Sequence, residues 1–186
     1  MPRKSFIPAA WALPLPVSII GTYDENGTPD AMNAAWTGQY DATQIILCLS
    51  EGHKTYKNIK LNKEFTVSFG TKKEVAACDY VGIVSGNKVA NKIENTGWTV
   101  TKSTQVNAPT FEQLPLTLEC RLSGETENGN LIGDIVTITC DEEYLDESGK
   151  PDLERLELIT FNSMKNTYHK VGGEVAQAWT VGKKLV

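Results

Sequence analysis

An Asn-Gly pair set between two β-branched runs is the feature that most constrains this fold. Asp24-Glu25-Asn26-Gly27 follows Val17-Ser18-Ile19-Ile20-Gly21-Thr22-Tyr23 and precedes a return strand expected from about Thr28 to Thr37. Asn-Gly supplies the positive φ values that tight turns between twisted strands require, so this stretch reads as a β-hairpin. The return strand leads through Pro29 into Met32-Asn33-Ala34-Ala35-Trp36, where small side chains leave the main chain open to a close neighbour. That neighbour is either a flat ligand or a packed strand. Trp36 has the same two readings, core packing or contact with a ring.

Further strands follow at Gln44–Leu49 and Glu64–Gly70. Between them, a helix is expected over 52–62, opening on Ser50-Glu51-Gly52-His53-Lys54-Thr55-Tyr56. Helix first turns favour acids, because their unpaired N–H groups and the dipole make that end positive. Lys54 and His53 run against this preference. Either the turn is solvated and Lys54 points away, or an anion sits over the free amides, the Thr55 hydroxyl and the lysine.

A second helix is expected over Lys72–Val84 and a short one over Val89–Glu94, stopped by Gly97. This insertion carries Lys88 and Lys92. Strands resume at Trp98–Thr101, Pro115–Leu122, Leu131–Cys140 and Leu156–Phe161. Asp141–Asp152 is an acidic connector without the Asp-x-Asp-x-Asp-Gly order of calcium loops. The tail through Tyr168, His169 and Ala178-Trp179-Thr180 is expected to return to the body. Roughly six to eight strands with two or three helices point to a mainly β, antiparallel, Greek-key-like barrel with helical excursions, and residues 1–186 to a single domain.

Composition removes whole classes of partner. The net charge of −5 gives no basic footprint for nucleic acid or an anionic membrane. Prolines 8, 14 and 16 interrupt the apolar N-terminal stretch, and no run approaches the ~18 apolar residues of a membrane helix. A cytoplasmic chain is expected. Its four cysteines, at 48, 78, 120 and 140, lack a C-x-x-C pair and read as free thiols. With histidines only at 53 and 169, neither a zinc site nor a hydrolytic triad is supported. The P-loop and the G-x-G-x-x-G fingerprint are also missing.

What remains is an ordered set: Pro16-Val17-Ser18-Ile19-Ile20-Gly21, then Asn33-Ala34-Ala35-Trp36, then Ser50 to Ile59, then Leu131-Ile132-Gly133-Asp134-Ile135-Val136. In this order and spacing, over roughly residues 10 to 170, the chain resembles the flavin reductase-like family of flavoredoxin type. The resemblance implies an FMN-binding split β-barrel and a homodimer with FMN near the interface. It implies that Met32, Asn33, Ala34, Ala35 and Trp36 meet the isoalloxazine ring, while Ser50, His53, Lys54 and Thr55 hold the phosphate. Lys92 would approach the flavin, or else stay a solvated lysine, and Tyr168 would cover the ring. Many relatives carry a histidine where this chain has Glu127-Asn128-Gly129-Asn130; Asn128 can hydrogen-bond there but not protonate near neutral pH. No side chain is expected to act as acid or base, since the flavin carries the chemistry. The implied activity is electron transfer from NAD(P)H or a redox protein. Two other readings stand beside it: a non-enzymatic FMN carrier or flavin store, and a relative holding haem or pyridoxal phosphate.

Overall fold

The computed structural model describes residues 1–185. Its centre is a seven-stranded antiparallel sheet in the order β3-β2-β6-β9-β10-β5-β4. These strands are β2 (Ser18–Tyr23), β3 (Pro29–Ala34), β4 (Thr37–Asp41), β5 (Gln44–Leu47), β6 (Glu64–Phe69), β9 (Leu116–Glu125) and β10 (Leu131–Cys140). β1 (Leu15–Pro16), β11 (Ile159–Asn162) and β12 (Thr167–Lys170) form a second, small sheet, and β7 (Val100–Lys102) pairs with β8 (Pro109–Phe111).

The two edges of the large sheet, β3 and β4, are consecutive in sequence and separated by Ala35 and Trp36 alone. So short a link forces the sheet to curl until its edges meet at that end. The Ser18 and Thr37 hydroxyls bond across the seam at 2.7 Å, from β2 to β4. The mainly β, antiparallel half-barrel with helical excursions is thus as expected. The long return strand is not: it is two strands, broken where the chain crosses from one sheet edge to the other. Nothing local marks the break, because neither alanine nor tryptophan is a turn former.

The first hairpin forms at the expected place. Asp24 Oδ1 accepts the N–H groups of Asn26 and Thr28, and Gly27 takes a φ of +76°. β2 is buried on both faces from Ser18 through Thr22. Its Ile20 enters the barrel core with Leu47, Phe65, Val67, Cys120 and Leu131. Its Ile19 enters an outer core with Cys78, Val81, Trp98 and Phe111. Helix α1 (Lys54–Asn62) closes the barrel by placing Tyr56 and Ile59 in the inner core. A Cβ at Gly133 would strike the Phe65 ring, so β10 requires glycine there for close packing.

Helix α2 (Val75–Ile83) covers the outer core, beginning three residues later than expected; before it, Thr71 bridges to Leu158 and the Lys72 N–H donates to the Glu157 carbonyl. The helix expected over Val89–Glu94 is instead a series of turns with one 3-10 turn at Glu94–Thr96. Gly97, at φ +73°, ends it as read from the sequence. Leu156 ends a short helix, α3 (Leu153–Leu156), rather than opening a strand. Thr167–Lys170 returns to the body as β12, but Ala178-Trp179-Thr180 does not, and Trp179 is 93% exposed. The four cysteines are free, and burial lifts Cys78 and Cys120 to about 12, which makes them inert packing groups. Among the described residues, no helix is long and apolar enough to cross a membrane.

Candidate functional site

Two cavities adjoin along the C-terminal end of α2 and share Gly82 and Ile83. The smaller, about 250 Å³, is lined by Asp30, Met32, His53, Lys54, Thr55, Lys92 and the Val81–Gly86 stretch. The larger, about 400 Å³, is lined by Asn33, Ala35, Asp79, Phe161, Asn166 and Tyr168 as well as the shared residues. Helix α2 lies close enough to β3 that a Cβ on Gly82 would sit 3.2 Å from the Asn33 Cβ.

The smaller cavity is built on the start of α1. No side chain caps this helix, and the first turn contains no acid. The N–H groups of Lys54, Thr55 and Tyr56 have no protein acceptor among the described residues. Such orphan donors at a positive helix end are an anion site in waiting. The conflict of Lys54 with the dipole is relieved within the chain: its Nζ lies 3.0 Å from Asp24 Oδ2 in the hairpin turn. Burial works against ionised Asp24, but Lys54 and the turn amides prevail and hold its carboxyl below the ordinary range.

Beneath that pair lies Asp30 of β3, only 2% exposed. Its Oδ2 accepts the Thr55 hydroxyl at 2.9 Å, and burial raises its carboxyl above the ordinary value against the pull of Lys92 and Lys54. Lys92 is buried as well, donating from Nζ to the Ala31 carbonyl at 2.6 Å. Burial lowers its ammonium, with Asp30 opposing. Gly86 makes this convergence possible, since a Cβ there would collide with Asp30 Oδ1.

The larger cavity is shaped by amide and aromatic groups. Asn33 Nδ2 donates to the Cys78 carbonyl at 3.1 Å, which ties β3 to α2. Tyr168 donates to Asp79 Oδ1 at 2.7 Å, and burial together with that carboxylate keeps its hydroxyl protonated. The Phe161 and Tyr168 rings are 5.7 Å apart and tilted.

The sequence-derived site residues divide accordingly. Met32, His53, Lys54, Thr55 and Lys92 converge on the smaller cavity, and Asn33, Ala35 and Tyr168 on the larger. Three fall outside both. Ala34 is buried in the barrel core, Ser50 is an exposed turn residue whose carbonyl accepts the His53 N–H, and Trp36 is 60% exposed. Asn128 lies in the β9–β10 turn and lines neither cavity. Sequence reasoning missed Asp30, Asp79, Phe161 and the Gly82–Gly86 stretch. An aspartate inside a strand pattern is the signal that marks Asp30, because buried carboxylates are rare without a partner.

Residues 11–165 match the model of the flavin reductase like domain. An uncharacterized protein of Archaeoglobus fulgidus is 31% identical over 130 residues, 67% of this chain and 72% of that one. Flavoredoxin of Desulfovibrio vulgaris (Miyazaki F) superposes with a TM-score of 0.93 at 31% identity, covering 97% of this chain and 99% of that one. Flavoredoxin from Methanosarcina acetivorans superposes at 0.89 with 28% identity over the whole of both chains. The curled sheet is therefore a split β-barrel of flavoredoxin type.

Proposed function

The chain belongs to the flavin reductase-like family, and from that premise we propose that it binds FMN along the two adjoining cavities and passes electrons through it. One observation carries this reading: a cavity walled by amide and aromatic groups runs, past Gly82 and Ile83, into a second one floored by uncapped helix amides and two lysines. That order of environments matches a planar ring at one end and a phosphate at the other. A flavin supplies hydride and single-electron chemistry when bound, and the protein's task is to bind, orient and exclude water.

Asn33, Ala35 and Tyr168 would hold the ring, with Tyr168 fixed by Asp79. Met32 would lie at the passage between the cavities. The amides of Lys54 and Thr55 and the ammonium groups of Lys54 and Lys92 would hold the phosphate, with His53 beside them. Trp36 and Ile83, exposed at 60% and 74%, would form an apolar rim to the ring end. Such a rim supports a homodimer with the site near its interface; light scattering on the FMN-loaded protein tests it, and a monomer would count against it.

The electron donor in this reading is NADH, NADPH or a reduced redox protein. The test is the absorbance spectrum of the protein as purified, followed by release and identification of the chromophore and then by nicotinamide oxidation assays. Flavin bands with FMN released support the reading, and a colourless protein with no FMN affinity sinks it. A carrier role without nicotinamide turnover is the second reading. It is favoured by the close superposition on two flavoredoxins, and reduction by a protein partner but by neither nicotinamide would select it.

A further inference from the structure

Two cations stand against two carboxylates around the smaller cavity. Lys54, Lys92 and Asp30 line it, and Asp24 pairs with Lys54 from the hairpin turn. A phosphate monoester carries close to two negative charges at neutral pH, its second proton leaving near pH ~6. Bound as a dianion, it would face the carboxylate of the buried Asp30, and like charges repel strongly where burial removes solvent screening.

The hydrogen bonds around Asp30 indicate how that repulsion is avoided. Oδ2 accepts from Thr55 and is committed as an acceptor. Oδ1 receives no hydrogen bond from any described residue and opens on the cavity beside Gly86. An ionised Oδ1 repels a phosphate oxygen, whereas a protonated Oδ1 donates to it. The groups that face Asp30 are Asp24 from the hairpin turn, His53, Lys54 and Thr55 from the start of α1, Ser85 and Gly86 after α2, and Lys92 from the following loop. None of the protein groups supplies a donor to Oδ1.

We propose that Asp30 is the proton-holding partner of the phosphate: a phosphate monoester binds here with one proton shared between Asp30 Oδ1 and a phosphate oxygen. The inference rests on the FMN reading above. The proton comes from solvent, so at a pH where the free ester is a dianion and Asp30 is ionised, one proton is taken up for each ligand bound. Desolvation of Asp30, which already raises its carboxyl, favours this uptake. Asparagine at this position reproduces the protonated state: its oxygen accepts from Thr55 and its NH2 donates into the cavity.

The experiment is calorimetric titration of FMN into the full-length flavin-free protein at pH 7.5 and 8.5, in buffers of different ionisation heat. Wild type takes up about one proton per FMN, and its Kd rises about tenfold between the two pH values. Asp30→Asn abolishes the uptake and binds FMN about tenfold more tightly than wild type at pH 8.5. Riboflavin, which lacks the phosphate, binds without proton uptake in both proteins. His53→Gln retains the uptake, which separates Asp30 from the imidazole on this wall. Wild type binding FMN without proton uptake overturns the inference and leaves the FMN site standing, and this measurement needs no variant to fold. Uptake that persists in Asp30→Asn overturns it as well. No FMN binding at any pH overturns the inference and the FMN reading together.

Discussion

Lys54 at the start of α1 reaches back to Asp24 in the β2–β3 turn, Nζ to Oδ2, at 3.0 Å. The pair joins the two most local features of the chain, a hairpin turn and a helix start, and it sets how much positive charge the smaller cavity offers. Both side chains are mostly shielded, at 20% and 14% exposure, so the pair resists screening better than a surface contact. Lys54→Met should weaken FMN binding about tenfold or more, the loss of one charge-assisted contact. Asp24→Asn should tighten it severalfold, because the amide oxygen still accepts from Asn26 and Thr28 while Lys54 is released. Fluorescence titration of FMN reads both, and equal affinities in the two variants would remove Lys54 from the site.

Gly86→Ala tests the cavity by filling it. Its Cβ would collide with Asp30 Oδ1 and lie 3.1 Å from the Lys54 Cδ. Asp30 is held by Thr55 and has little room to retreat. FMN affinity should fall at least about tenfold, roughly 1.4 kcal/mol. The thermal midpoint should move by only a few degrees, since the loop lies outside both cores. A variant with unchanged FMN affinity would place the phosphate elsewhere.

Glu119 gives the chain a pH dependence unrelated to the flavin. It is 1% exposed on β9, and its carboxylate accepts from Ser103, from the Thr104 and Gln105 N–H groups and from the Thr104 hydroxyl. Burial alone would raise its carboxyl, but these four donors outweigh burial and hold it below the ordinary range. A depressed folded value stabilises above the unfolded pKa of about 4.3, and the stabilisation is lost as pH falls through the folded value. Glu119→Gln should therefore cost about 2 kcal/mol in urea denaturation at pH 7. The gap to wild type should close as the pH falls below about 4. A pH-independent gap would show that packing, not charge, is what the substitution removes.

Trp36 separates fold from ligand. At 60% exposure it contributes little to either core, so Trp36→Ala should change stability by no more than about 0.5 kcal/mol. As a rim to the ring end of the proposed site, its removal should lower FMN affinity with no change in midpoint. A large loss of stability would instead make Trp36 a closure element of the barrel seam.

The sequence read without a partner determined what depends on near neighbours. Asn26-Gly27 set the hairpin, the β-branched residues of Val17–Tyr23 announced a strand, and the cation at the start of α1 announced an unsettled helix end. Each of these is a matter of turn geometry, side-chain alternation or helix polarity over a few residues. The family motifs located eight of the eleven nominated residues on the two cavity walls. Trp36, Ala34 and Ser50 fall outside because a motif conveys order along the chain and not the direction a side chain faces. The break at Ala35-Trp36 was illegible for a related reason: the chain turns there to join opposite edges of one curled sheet, a demand made by barrel closure and not by those two residues. Asp30 is the clearest case. On the page it is a polar residue in a strand. In the folded protein Thr55 fixes one of its oxygens, Gly86 leaves room beside the other, and Lys92 approaches from a distant loop. Burial decides the cost of a charge, and burial is assembled from segments far apart in sequence, so only the tertiary structure could make Asp30 part of the site.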